Sequence, residues 1–170
     1  MRKRIGYAAG IGCAALMTVC ASAMPASAQG VLNERQISLA MAQEAAEAAL
    51  AQCSSEGFRV SVTVVDRNGQ IKAVLRGDGT GPHTLDSSRR KAFTSLSFRS
   101  SSADFTRLVG SNPAAANLKD LDGVLAVAGG LPIRAGDEVI GAIGVGGAPG
   151  GDRDEACAQA GINRISGQLK

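Results

Sequence analysis

The chain has no tryptophan, one tyrosine and one histidine in 170 residues, and aromatic side chains make up only 3% of it. A core of stacked rings is therefore excluded, and the interior must be built from alanine and branched aliphatic residues. With His83 alone, a metal site needing two imidazoles from one chain is excluded too. An excess charge of one sign is also missing. Three of the 18 basic residues, Arg2, Lys3 and Arg4, stand at the extreme N-terminus and none of the 15 acidic ones lies near them, so the rest of the chain is formally neutral. That removes the electrostatic pull towards nucleic acid or anionic lipid. No carboxylate pair stands at catalytic spacing, and no Ser/His/Asp order can be assembled.

What is present begins with a leader. Met1-Arg2-Lys3-Arg4 precedes an apolar, alanine-rich run from Ile5 to about Ala23, closed by Ala26-Ser27-Ala28-Gln29. This basic, apolar and small-residue order is that of a secretory signal, with cleavage expected after Ala28. A membrane anchor is the weaker reading, because the run is short and broken by Gly10, Gly12 and Thr18. Lipoprotein processing at Cys20 is weaker still, since Val19 is bulky. The expectation is an exported protein, periplasmic or secreted, with residues 1–28 as signal and 29–170 as one domain that no longer spans a membrane. About 140 residues suffice for one core and not for two. Of the four cysteines, only Cys53 and Cys157 then remain. Each falls on a helix near one end of the chain, which invites a disulfide in an oxidising compartment; two buried free thiols are the alternative.

The pattern predicts a first helix opened by the capping box Asn33-Glu34-Arg35-Gln36 and ending near Gly57. Its apolar face carries Ile37, Met41, Ala45 and Ala48, widened by Ala42, Ala46, Ala49, Leu50 and Cys53. Val60, Val62, Val64 and Val65, then Asp66-Arg67-Asn68-Gly69, then Ile71 to Leu75 read as a β-hairpin. Gly77 to His83 is a loop rich in glycine. A second helix covers about Thr84 to Phe98, with Leu85, Ala92, Phe93 and Leu96 facing inward, and a shorter one runs from Ser102 to Val109. Leu121–Ala128, Leu131–Arg134 and Glu138–Val145 read as three strands in meander order. A last helix starts at Asp152, with Ala156, Cys157, Ala160 and Ile165 on its packing side. The sum is an α+β domain, a five-stranded antiparallel sheet with helices packed against it.

The run Gly141 to Gly151 before the last helix matches neither a dinucleotide fingerprint nor a Walker loop. Its glycines suit close passage of a strand and a turn into a helix, and a small anion at the helix start is the lesser reading. Arg89-Arg90-Lys91 fans around a helix and reads as a solvated face, or as a source of cations for ligand carboxylates together with Arg76. His83 stands in a loop where solvent and a flat ligand could reach it.

Arg76-Gly77-Asp78-Gly79-Thr80-Gly81-Pro82-His83-Thr84, Ser88-Arg89-Arg90-Lys91-Ala92-Phe93-Thr94, Ala128-Gly129-Gly130-Leu131-Pro132-Ile133 and Ile140 to Asp152 occur in one order along the chain. Together they resemble the haem-binding HbpS/GlcG-type family, most of all its exported HbpS-like branch, with a fold like that of the C-terminal part of PduO. Where many relatives have Gly-Val-Ser-Gly-Gly, Gly146 replaces the serine. The resemblance implies a profilin-like α+β fold and a homo-oligomer, often an octamer. It also implies haem and iron binding, with scavenging, sensing beside a sensor kinase or another envelope protein, or slow haem degradation. It makes His83 the first candidate for an iron contact, Thr94 a weaker candidate that would donate oxygen, and Arg76, Arg90 and Lys91 partners of the haem propionates. Phe93 and Leu85 would supply the apolar wall. Relatives linked to glycolate or cobalamin metabolism keep open a non-haem alternative, an accessory factor or enzyme acting on a small hydroxy acid or another small metabolite.

Overall fold

A computed structural model describes residues 30–170, of which Glu34–Lys170 form the folded body. The expected signal, residues 1–28, lies outside the described residues. Among those described, no helix is long and apolar enough to cross a membrane. The elements follow as α1 (Leu39–Ser55), β1 (Ser61–Asp66), β2 (Ile71–Arg76), α2 (Thr84–Phe98), α3 (Ser102–Ser111), a 3-10 segment (Pro113–Asp120), β3 (Gly130–Ala135), β4 (Glu138–Gly146) and α4 (Gly151–Ile165). The sheet is antiparallel with order β2-β1-β4-β3.

It has four strands, not the expected five. Leu121–Ala128 forms no strand, and side chains of α2 satisfy its backbone instead: Arg90 donates to the Val124 carbonyl and the Leu125 amide donates to Thr94 Oγ1 at 2.9 Å. With Gly123 at φ 79 and Leu121 and Val127 exposed, the segment has the composition of a strand without its extended course. The meander is thereby reduced to the β3–β4 hairpin, and β4 crosses over to pair with β1.

The first helix also begins later than the capping box suggests. Ile37 is buried and its amide donates to the Ile140 carbonyl at 2.9 Å. That bond and the burial hold the approach to the helix extended. Ser38 is the true N-cap, accepting from the Met41 amide at 3.2 Å. At the other end Gly57, at φ 81, gives a Schellman closure in which the Phe58 amide bonds back to the Cys53 carbonyl.

The two faces of the sheet differ in chemistry. On one, α1 and α4 pack together over Val60, Val62, Val64, Ile143 and Val145 to form the main apolar core. The α1 contact row is Ala42, Ala45, Ala46, Ala49 and Cys53. These small side chains let α4 come so close that a Cβ on Gly161 would lie 2.5 Å from the Ala45 carbonyl oxygen. Cys53 and Cys157 join these two helices in a disulfide, with Cα atoms 5.6 Å apart. On α4, Ala156 is exposed and Ala158 and Gly161 take the packing side with Cys157 and Ile165.

On the other face lies α2, and it turns a largely polar stripe inward: Thr84, Ser88, Lys91, Thr94 and Ser95, with Ala92. Hydroxyls pair across the layer, Ser61 with Thr84 and Thr63 with Ser88, each at 2.8 Å. Leu85 is 40% exposed and Phe93 and Leu96 are only partly buried, so of the four residues expected to face inward only Ala92 is buried. Small residues in the sheet bring the helix down. A Cβ on Gly144 would stand 2.2 Å from the Ser88 carbonyl oxygen, and one on Gly130 2.2 Å from that of Lys91. Because both obstacles are backbone, Gly144→Ala is expected to lift α2 and cost about 3 kcal/mol, the upper part of the usual overpacking range. Urea denaturation measures it, and an unchanged midpoint would show that α2 yields freely.

Candidate functional site

The loop 77–83 joins the end of β2 to the start of α2. Thr80 is buried at its centre, and the Arg76 guanidinium reaches back to the Thr80 carbonyl at 2.6 Å. His83 holds the N-cap position of α2 without using its side chain as a cap. The imidazole is exposed and lies over Gly81, where a Cβ would meet its Cε1 at 2.8 Å, so glycine there makes room for the ring.

Beside this loop, β2 and α2 enclose a groove of about 330 Å³ lined by Thr63, Ile71, Val74, Leu85, Asp86 and Arg89. Its apolar ledge is exposed: Ile71 at 53%, Val74 at 38% and Leu85 at 40%. Ile71 and Val74 would fall on opposite faces of a regular strand. They share one face because the β1–β2 register slips between Val64 and Val65, making Lys72 an extra residue. Arg76, paired with Ser61 two positions on from Val74, lies on the same face of β2. Arg89 stands on the helix side, 2.9 Å from Asp86. Neither Ile71 nor Val74 stands out in the sequence, since a period of two hides the bulge, whereas Arg89 belongs to the basic run already noted.

The other expected ligand residues lie elsewhere on α2. Thr94 Oγ1 donates to the Arg90 carbonyl at 2.8 Å and accepts from Leu125, and Arg90 is spent on the Val124 carbonyl. Lys91 is buried, its ammonium 2.7 Å from Asp154 Oδ2 and 3.1 Å from the Val145 carbonyl. Burial pushes the Asp154 carboxyl up from its ordinary range, while the Lys91 ammonium and the Ala148 and Gly147 amides pull it back. Phe93 is two helical turns beyond Leu85 and does not share the groove; its ring lies between Gly69 and Gly123. The structure thus places His83, Arg76 and Leu85 at one end of α2 and separates them from Arg90, Lys91, Thr94 and Phe93.

The glycine-rich segment before α4 has an acidic setting. Asp152 and Asp154 occupy the first turn, and Asp154 Oδ1 accepts the Ala148 amide at 3.0 Å. Glu155 lines an adjoining groove with Leu131 and Ala156, and burial raises its carboxyl above the usual value. The first turn of α4 thus carries its own carboxylates, Asp152 and the Lys91-paired Asp154. Gly146 leaves space that Ser87 fills, since a Cβ at that position would lie 2.5 Å from Ser87 Oγ.

An antiparallel sheet with one alanine-rich helical pair on one side and a polar-faced helix on the other, bearing an exposed imidazole at its start, defines a small α+β class of domain. Residues 37–163 match the family described as haem degrading protein HbpS-like. The chain belongs to that family. It is similar to a double mutant of Streptomyces reticuli HbpS, with 41% identity and a TM-score of 0.75 over 84% of this chain and 97% of that one. The Klebsiella pneumoniae protein ORFY matches at 27% identity and a TM-score of 0.76, over 81% of this chain and 95% of its own. An uncharacterized 15.0 kDa protein of Citrobacter freundii is 31% identical over 65% of this chain and 80% of its own length. The PduOC structure, described as a haem complex, shares the fold at 20% identity and a TM-score of 0.70, covering 76% of this chain and 95% of that one.

Proposed function

We propose that this chain is an exported haem-binding protein in which the groove between β2 and α2 would hold the porphyrin and His83 would supply a nitrogen donor to its iron. The observation that carries the reading is that an apolar ledge with Arg89 lines the groove along the first half of α2 while the exposed His83 imidazole and Arg76 stand at the adjoining loop. Family membership supports haem as the ligand. Haem, when bound, supplies an iron that takes an axial nitrogen or oxygen donor. Ile71, Val74 and Leu85 offer an apolar plane, and Arg76 and Arg89 are placed for propionates. Arg90, Lys91 and Thr94 act behind the groove, holding α2 to the sheet and to the 121–128 segment. Iron handling, scavenging, sensing beside an envelope partner and slow haem breakdown are roles this site could serve in a homo-oligomer.

The test is optical. With no tryptophan and one tyrosine, the protein absorbs little at 280 nm, and a bound haem would dominate its spectrum. Haem titrated into the purified protein should give a saturable Soret shift. His83→Ala should displace the band and weaken binding roughly tenfold or more, the scale of one lost strong contact. Identical titrations for the two proteins would remove His83 from the site, and no saturable shift in either would remove haem.

A further inference from the structure

At the opposite end of α2 lies a larger cleft that the haem reading does not use. It has a volume of about 530 Å³ and opens between the β1–β2 turn, the C-terminal end of α2 and the β3–β4 turn. Three arginines line it, Arg67, Arg99 and Arg134, against an apolar wall made by Phe93 and Leu96. Each of these side chains is set by its surroundings in a different way.

Arg67 is already neutralised, 3.1 Å from Glu138 and 3.8 Å from Glu34. Arg134 donates one nitrogen to the Arg99 carbonyl at 2.6 Å, which orients its guanidinium and leaves further donors free. Arg99 caps α2 in the left-handed region, at φ 52, the one non-glycine residue with positive φ among those described. Glycine or asparagine is usual at such a position, so an arginine there bears a backbone cost, and its guanidinium makes no hydrogen bond or ion pair among the described residues. The Phe93 ring lies between two glycines: a Cβ on Gly69 would stand 3.0 Å from its Cε2, and one on Gly123 3.3 Å from its Cδ1.

We infer that this cleft is a second binding site, one for a small organic acid with a planar apolar body and a single carboxylate. Arg99 and Arg134 present forked donors that match a carboxylate edge to edge. Phe93, with Leu96, lines the cleft with apolar surface on which a six-membered ring can rest. Among the lining residues three arginines stand against Asp137 and Glu138, a balance of one positive charge, and Glu34 beside Arg67 lowers it further. That balance suits a ligand with one negative charge and leaves a polyphosphate largely unneutralised. The site does not depend on His83 or on haem.

Benzoate is the probe, benzamide its uncharged counterpart and inorganic phosphate the small-anion control. In amide NMR spectra of the purified protein, benzoate should give saturable shifts at Ser97–Arg99 and Arg134–Val139, and benzamide should not. Arg99→Gly removes the guanidinium while placing glycine where the backbone favours it, so the variant should melt at the same temperature or higher. It should bind benzoate at least about tenfold more weakly, the effect of one charge-assisted hydrogen bond. Equal binding of benzoate and benzamide, unchanged benzoate affinity in Arg99→Gly, absence of saturable shifts, or displacement by equimolar phosphate would each overturn the inference.

Discussion

Lys91→Met is expected to destabilise the protein by about 3–5 kcal/mol at pH 8, the cost of leaving a buried charge without its partner. The Lys91 and Asp154 side chains are only 5% and 3% exposed, and their charged atoms are 2.7 Å apart. Gly129 packs against the pair, and a Cβ there would lie 2.9 Å from Lys91 Nζ. The loss should depend on pH in a defined direction. Burial already raises the Asp154 carboxyl, and Lys91 is the strongest influence opposing that rise. Without Lys91 the folded-state value climbs further above the unfolded one. A raised carboxyl binds its proton more tightly in the folded state, so its unfavourable effect is absent below the unfolded value, grows as pH rises from there to the folded one and is complete above it. The gap between variant and wild type should therefore be narrower at pH 5 than at pH 8. Urea denaturation at the two pH values measures it; a gap independent of pH would mean that Asp154 is not left charged in the interior. Adding Asp154→Leu should recover much of the loss, since a well-packed apolar pair can replace a buried ionic one.

Replacing both cysteines, Cys53→Ala with Cys157→Ala, should cost about 4–5 kcal/mol in the chain-entropy description. The two residues are 104 positions apart, so the bond closes a loop containing most of the folded body and restricts the unfolded chain accordingly. The α1–α4 contact it spans consists of alanines and a glycine, whose burial offers little apolar area per residue. The helices nearest the two ends therefore depend on the bond more than a leucine-rich pair would. Denaturation midpoints of the double variant and of the reduced wild type should agree with each other and fall well below the oxidised protein. A loss under about 1 kcal/mol would assign the stability of this layer to packing alone.

Much of the fold is legible along the chain because its signals are local. The Asn68-Gly69 turn, the bounds of α2 at Thr84 and Phe98 and the β3–β4 hairpin all follow from residues a few positions apart, whereas the sequence invites the Cys53–Cys157 bond and the structure forms it. What misled was composition without context. Leu121–Ala128 has the aliphatic content of a strand, yet Arg90 and Thr94 capture its backbone from a helix about thirty residues away in sequence. Asn33 to Gln36 has the letters of a capping box, but the burial of Ile37 and its bond to Ile140 delay the helix to Ser38. On α2 the usual rule that large apolar residues face inward fails, because the glycines of β3 and β4 bring the helix too near the sheet for anything larger than serine, threonine or alanine along most of the contact.

The site divides in the same way. His83 is visible in the sequence as a lone imidazole in a glycine-rich loop, and the family to which the chain belongs is visible in its ordered motifs. The ledge of Ile71 and Val74 is not, because one extra residue in β2 reverses the face that alternation assigns. Nor is the Arg99 cleft, whose three arginines come from segments that only the crossover between β1 and β4 brings together. Local pattern determined where the chain turns, coils and extends. Tertiary structure decided which of its few cations are spent in the interior and which reach the surface, because that choice depends on how closely the layers approach one another.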